Sequence, residues 1–327
     1  MPADEVLTMG RLGVDLYPHQ AGVSLREVRT FAKFLGGSAA NVAVAAARYG
    51  RRAALISRTG DDPFGAFLHD ALRGFGVDDT AVTPVRGLPT PVTFCEIFPP
   101  DDFPLYFYRL PSAPDLQIRE SELDLARIAA ADVFWVTGTG LCQEPSRSAT
   151  LAALAARHAA RPGPDRTGIT VFDLDYRPMF WPSREQARAW YRTALPYASV
   201  AVGNLDECRT AVGESDPVAA AAALHAAGVR LAVIKQGPAG VLASRAGERG
   251  TEQVRVPPVP VRVVNGLGAG DAFGGALCHG LLAGWDLAAT MRFANAAGAI
   301  VASRLSCADA MPTEPEVRDL LREATHA

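Results

Sequence analysis

The sequence predicts an α/β fold: a three-layer domain with a mainly parallel central sheet, helices on both faces, and a small β-sheet lid. Two observations predict it. Strand-like apolar runs alternate with helix-like runs for most of the chain, which implies parallel strands joined by crossover helices. One segment breaks that rhythm: PVTFCEIFPPDDFPLYFYRL reads as an antiparallel hairpin with a Pro/Asp turn. The region from Val14 to Leu35 is equally strand-rich. Together these make the lid, approximately residues 13–36 and 88–111, inserted in a single domain spanning 1–327.

The elements follow in order. VLTMGRLGVDLY is an apolar strand with glycines, ending in Asp15. Ser38 is placed to cap a helix through NVAVAAARYG, with Gly50 as its stop. AALIS is a short strand, and PFGAFLHDALRGFG a helix closed by Gly74 or Gly76. DVFWVTG is a buried strand followed by the helix SRSATLAALAARHAA, and the loop RPGPDRTG leads into the strand ITVFD. SVAVGN, a helix at DPVAAAAALHAAG and the strand RLAVIK repeat the pattern. Apolar strands ending in Gly, Asp or Asn imply a ligand crevice at their carboxyl ends. In LYFYRL side chains alternate, so Tyr106 and Tyr108 share one face and Phe107 and Arg109 the other.

Composition narrows the function. A net charge of -3 over 327 residues gives no global basic field for nucleic acid. The opening MPADEV carries acids rather than a basic region, and no run of roughly 18 apolar residues exists, so a cytoplasmic protein without membrane contact is expected. Five scattered cysteines without a CxxC argue against a disulfide framework or structural zinc, and six scattered histidines against a histidine-held metal. Lys33 and Lys235 are the only lysines in a chain that otherwise uses arginine. The two side chains are not interchangeable near phosphate, so both positions are candidates, although base composition accounts for most of the bias.

The stretch VVNGLGAGDAFGGAL carries the chemistry. Glycines let backbone approach an anion closely, and a helix starting near Gly270 would point free N–H groups at it. Asp271 adds a negative charge at the same place. A carboxylate repels a resting phosphate, so its fitting task is to accept a proton from a hydroxyl that attacks phosphorus. A plain glycine turn with Asp at a helix start is the alternative.

At this point the chain resembles the ribokinase-like (PfkB) sugar kinases, whose second signature is D-T-x-G-A-G-D. Gly268, Ala269, Gly270 and Asp271 match it, while Asn265-Gly266 replaces the opening Asp-Thr. The resemblance extends over nearly the whole chain and implies a ribokinase-like fold, with ATP and Mg2+ as cofactors. GGSAANVAVAAARYG looks like the first signature, making Gly36 and Gly37 the hinge between lid and core and turning Asn41 to the sugar. Asp15 sits where the family binds substrate. GNLDE supplies Asn204 and Glu207, which in the family act near magnesium and the phosphates, often through water. VIKQGPAG resembles the nucleotide-binding turn, with Lys235, Gly237 and Gly240, and Asn295 lies on the helix expected to wall the adenine pocket.

FDLDYRPMFW resembles the D-x-N-x-R-P-x-x-W stretch of kinases for keto-deoxy sugar acids. Arg177 precedes Pro178, so its backbone should be extended, and a fixed guanidinium suits a carboxylate. Asp175 replaces the usual Asn and would rather meet hydroxyls or a cation. Arg109 would cover the sugar acid from the lid, or face solvent. Lys33 sits where such relatives often carry lysine. With VDLYP and FAKFLGG, the resemblance implies 5-dehydro-2-deoxy-D-gluconate as substrate, ahead of 2-dehydro-3-deoxygluconate, fructose and ribose. It also implies a homodimer or higher homo-oligomer through the lid. A nucleotide-dependent dehydrogenase is disfavoured because Gly10 and Gly13 do not form GxGxxG. A sugar-acid sensor without chemistry is disfavoured by the intact Asp271.

Overall fold

The computed structural model describes residues 3–160, 168–248 and 250–326. Its strands are β1 (Val6–Met9), β2 (Gly13–Pro18), β3 (Phe31–Gly36), β4 (Ala53–Gly60), β5 (Val77–Asp78), β6 (Val82–Val85), β7 (Val92–Cys95), β8 (Leu105–Tyr108), β9 (Val133–Thr137), β10 (Ile169–Asp173), β11 (Val200–Asn204), β12 (Leu231–Lys235), β13 (Val241–Gly247) and β14 (Gly250–Val256). The α-helices are α1 (Ser38–Arg48), α2 (Pro63–Gly74), α3 (Leu125–Ala130), α4 (Ser146–Ala159), α5 (Arg184–Ala194), α6 (Leu205–Val212), α7 (Pro217–Ala226), α8 (Ala269–Leu282), α9 (Leu287–Ala302) and α10 (Glu314–His326).

The main sheet runs β14-β13-β12-β11-β10-β9-β1-β4-β5, with β6 also paired to β4. From β12 to β5 every pairing is parallel, and β13 and β14 close one edge as an antiparallel hairpin. Alternate residues of each strand feed opposite layers, which is why these strands read as unbroken apolar runs. Val6, Val133 and Trp135 pack towards α1, α8 and α9, whereas Leu7, Phe134 and Val136 pack towards α4, α5 and α7. Small residues let α1 and α8 approach closely. A Cβ on Gly275 would lie 2.3 Å from Ala45 Cβ, and one on Gly274 2.7 Å from the Trp135 ring.

A second sheet of order β3-β2-β7-β8 stands apart from the first. β2 pairs antiparallel with β3 and parallel with β7, and β7 with β8 forms the antiparallel hairpin read from the sequence. Its outer face exposes Tyr106 and Tyr108, while Phe107 and Arg109 turn inward to a cavity. A separate apolar cluster of Tyr17, Cys95, Ile97 and Cys307 ties this sheet to the loop after α9.

Two elements differ from the sequence expectation. VLTMGRLGVDLY is two strands, because Gly10 at φ 150° turns the chain out of the main sheet; Asp15 therefore sits mid-strand in β2. Ser38 does not cap α1. Gly37, at φ 101°, holds the N-cap and leaves Ser38 already helical, its hydroxyl buried without a partner. The chain must be glycine there because a Cβ would stand 2.5 Å from the Arg11 carbonyl oxygen. Of the predicted loop RPGPDRTG, residues 161–167 lie outside the described residues. No described helix is long and apolar enough to cross a membrane.

Close packing of α8 on α1 can be checked directly. Gly275→Ala should destabilise by about 1–3 kcal/mol through overpacking, whereas Gly74→Ala, with open space around it, should be neutral or gain up to about 1 kcal/mol. Urea midpoints of the two variants would measure this, and equal shifts would refute the packing account.

Candidate active site

The start of α8 is built to leave backbone donors open. Gly268 holds its N-cap in the left-handed region, at φ 80°, with no side chain bonding back to the first turn. The first N–H groups of a helix have no partner within it, so those of Ala269 and Gly270 are available to an anion. Gly268 is also required sterically, since a Cβ would meet Cys307 Sγ at 2.6 Å.

Asp271 lies in that same first turn. Asn41 Nδ2, from the first turn of α1, donates to Asp271 Oδ2 at 2.8 Å and fixes the carboxylate. Burial raises the pKa of Asp271 above the ordinary carboxylate range, with the Asn41 hydrogen bond opposing. A proton acceptor benefits from such a rise, because its basicity moves towards the working pH. Lys235 ends β12, and a Cβ on Gly270 would stand 3.2 Å from its Nζ. Burial alone would lower the Lys235 pKa, but Asp173, Glu207 and Asp271 outweigh it and keep the ammonium charged. Open N–H groups, one cation and one carboxylate thus meet at a single point.

A band of carboxylates and guanidiniums continues from there. Asp173 ends β10, and burial pushes its pKa well up, with Lys235 opposing. Asp175 follows at φ 31°. It accepts from Arg11 Nη2 at 2.8 Å and Thr139 Oγ1 at 3.1 Å, and pairs with Arg177 Nη2 at 2.9 Å. Burial would raise Asp175, yet Arg11 and Arg177 hold it below the usual range. Arg177 Nη1 also lies 3.6 Å from Glu207 Oε1. On the small sheet, Tyr17 donates to Asp15 Oδ2 at 2.9 Å, and a Cβ on Gly36 would overlap that carboxyl at 2.1 Å. One cavity is lined by Arg11, Asp15, Asn41, Arg109, Arg177 and Asp271.

The sequence profile described as pfkB family carbohydrate kinase matches residues 3–314. The chain belongs to that family. It is therefore a sugar kinase, a phosphotransferase with an alcohol group as acceptor. The 5-dehydro-2-deoxygluconokinase of Clostridium tetani is 32% identical to it, covering 98% of this chain and 93% of that one. The enzyme of the same name from Shouchella clausii is 34% identical, covering 98% and 96%. The crystal structure of a fructokinase with bound ATP from Xylella fastidiosa superposes with a TM-score of 0.82 at 25% identity, covering 98% of this chain and 99% of that one.

The kinase brings most of the residues singled out in its sequence together. Asp15, Gly37, Asn41, Arg109, Arg177, Gly268 and Asp271 line one cavity, with Gly36, Ala269, Gly270 and Lys235 immediately behind. Asn41 reaches Asp271 as well as the cavity. Asn204 and Glu207 form a capping box at α6, through Glu207 N to Asn204 Oδ1 at 2.9 Å and Asn204 N to Glu207 Oε2 at 2.7 Å. Gly237 and Gly240 build the turn between β12 and β13, and a Cβ on Gly240 would strike Val256 O at 2.1 Å. Asn295 donates to the carbonyl oxygens of Val256 and Pro257, tying α9 to the end of β14. Asn265, in place of the family's Asp, bonds Leu305 O and the Leu267 N–H, so its role in shaping the loop needs no charge.

Lys33 is placed elsewhere. It pairs with Leu16, one residue along from Asp15, and so projects from the opposite face of the small sheet. Its ammonium rests 3.8 Å from the Phe67 ring centroid on α2. Residues that the sequence did not single out are Arg11, Thr139, Asp173, Tyr17 and Cys307. Arg11 and Asp173 each sit at the carboxyl end of a parallel strand, the position that marked the crevice.

Asp15 ties this electrostatics to stability. Burial is the largest cause that pushes its pKa up to about 6, from an ordinary 3.8. An acid raised by folding is harder to ionise when folded, so its penalty is absent below pH 3.8, grows between 3.8 and 6, and is complete above. Asp15→Asn should therefore raise Tm at pH 8, by up to about 3 kcal/mol of stability, and the gain should fade as pH drops to 4. A gain independent of pH would show that Asp15 is not strained by burial.

Proposed function

We propose that the protein is an ATP-dependent kinase that phosphorylates the primary hydroxyl of 5-dehydro-2-deoxy-D-gluconate, a step of myo-inositol breakdown. The observation that carries the chemistry is Asp271, fixed by Asn41 against the open N-terminus of α8 with Lys235 beside it. The arginines around the same cavity support an anionic sugar, and the relatives named 5-dehydro-2-deoxygluconokinase support this acid among such sugars.

In this reading Asp271 takes the proton from the substrate hydroxyl as it attacks the γ-phosphorus of ATP. The N–H groups of Ala269 and Gly270, with Gly268 opening the helix, stabilise charge on the transferred phosphoryl group. Lys235 neutralises phosphate oxygens at the same point. ATP is the donor bound by the superposed fructokinase, and the turn at Gly237 and Gly240 with Asn295 would border its base. Asp15 receives sugar hydroxyls from the small sheet. That sheet acts as a lid about Gly36 and Gly37, excluding water so that ATP is not hydrolysed.

The donor set fits magnesium. Asp173 and Glu207 offer hard carboxylate oxygens, and burial raises the Asp173 pKa with only Lys235 opposing among its main causes. Both Glu207 oxygens already have partners in Asn204 and Arg177, so contact through water suits it. When bound, the ion would neutralise phosphate charge. The outer face of the lid exposes Tyr106, Tyr108 and Leu110, supporting self-association into a homodimer or higher homo-oligomer.

Two outcomes are expected. Asp271→Asn should keep its thermal midpoint within a few degrees and lose about 10²–10⁴-fold in kcat; near-normal turnover would end the assignment of the base. ADP release with Mg-ATP should give the highest kcat/KM for 5-dehydro-2-deoxygluconate among that acid, 2-dehydro-3-deoxygluconate, fructose and ribose. A lead for fructose or ribose would overturn the anionic-substrate reading while leaving the kinase chemistry intact.

A further inference from the structure

Three arginines line the cavity, and their hydrogen-bonding capacity is not equally free. Arg177 is engaged chiefly through its two Nη atoms. Its Nη2 meets Asp175, its Nη1 meets Glu207 and the Tyr176 carbonyl oxygen, and its Nε is buried without a partner. A substrate carboxylate approaching Nη1 or Nη2 would compete with Glu207 and Asp175.

Arg11 is arranged differently. Its Nε donates to Thr139 Oγ1 at 3.2 Å and its Nη2 to Asp175 Oδ2 at 2.8 Å, so the plane of the guanidinium is locked from behind. Nη1 has no partner among the described residues, and the side chain lines the cavity. The rings of Phe107 and Phe180 flank it, each centroid 5.9 Å from Cζ. Phe180 also carries the guanidinium of Arg109 at 4.8 Å, and Arg109 is locked through Nη2 to Asp115 at 2.8 Å. Two guanidiniums therefore share one aromatic ring, each anchored by its own aspartate, one rooted in the core and one on the lid. Two like charges that line one cavity are stabilised by an anion that meets both.

We propose that Arg11 is a specificity-determining residue that binds the carboxylate of the substrate jointly with Arg109, and that Arg177 is a positioning residue which holds Asp175 and Glu207. This rests on the reading of the substrate as a sugar acid. Asp175 is then explained as the counter-charge that fixes Arg11. Arg109 directly follows the lid strand β8, so a carboxylate that meets both guanidiniums would link recognition of the acid to the lid.

The test uses the full chain in steady-state ADP release, with Arg11→Gln, Arg11→Lys, Asp175→Asn and Arg177→Gln, on 5-dehydro-2-deoxygluconate and on fructose. Arg11→Lys keeps a charge opposite Asp175, so it guards against a variant that fails to fold. Arg11→Gln and Arg11→Lys should raise KM for the acid by about 100-fold, the loss typical of removing a buried charged partner, with kcat within about fivefold and fructose kcat/KM unchanged or improved. Arg177→Gln should chiefly lower kcat on both substrates. Equal losses on both substrates for the Arg11 variants, or a KM effect confined to Arg177→Gln, would overturn the assignment while the acid preference of the unmodified enzyme stands. A parent enzyme with no preference for the acid would overturn the substrate reading and this inference together.

Discussion

Everything at this site depends on keeping charge ionised where water is scarce. Asp15, Asp173, Asp175, Glu207 and Asp271 converge on the carboxyl end of the sheet, against Arg11, Arg177 and Lys235. Burying a lone carboxylate costs several kcal/mol, so such a group either neutralises or finds a partner. Here the solution is uneven. Asp175 has two guanidiniums and is held well ionised, Asp271 has an amide, and Asp173 has chiefly the distant help of Lys235. The unevenness leaves Asp175 a fixed counter-charge and raises the pKa of Asp173 and Asp271 through burial.

Parallel topology is what makes the convergence possible. Each of β1, β10, β11 and β12 delivers its last residues to the same edge, so Arg11, Asp173, Asn204 and Lys235 meet although some 220 positions separate the first from the last. The helix dipole of α8 then supplies a positive field there without another side chain. The small sheet contributes the remaining wall, and its freedom is limited by bare backbone. At Gly36 a Cβ would overlap the Asp15 carboxyl, and at Gly37 it would collide with the Arg11 carbonyl. Bare backbone at two glycines thus lets the small sheet and the start of α1 approach beside the cavity.

Much of this was legible in the chain. Unbroken apolar strands announced a parallel sheet, and the Pro/Asp-punctuated alternation around Phe98 announced the separate hairpin. The glycines before Asp271 could be read as an anion cradle because only bare backbone allows that approach. What could not be read was the pairing of charges. Arg11 looked like an ordinary basic residue after a strand, since nothing local says that Asp175 will stand 2.8 Å away. Lys33 was drawn to the site by composition, but strand alternation, set by a register visible only once β2 and β3 pair, turns it to the other face. Ser38 lost its cap to Gly37 for a tertiary reason, the close passage of the Arg11 carbonyl, which propensity does not encode.

The same logic bears on how one family accommodates different sugars. In the proposed reading the phosphate side is backbone and one lysine, features that suit phosphoryl groups whatever the acceptor. The acceptor side is side chain throughout, and its cations are each backed by an acid. Replacing Asn with Asp at position 175 would be costly in isolation, for it buries a charge. It becomes tolerable with Arg11 and Arg177 alongside, paired to Asp175 at 2.8 and 2.9 Å. On the proposed reading, a neutral sugar would leave Arg11 and Arg109 without an anion, a penalty rather than a missing attraction. On that reading, selection for an acid would reside in the charges behind the cavity wall as well as in the atoms that touch the ligand.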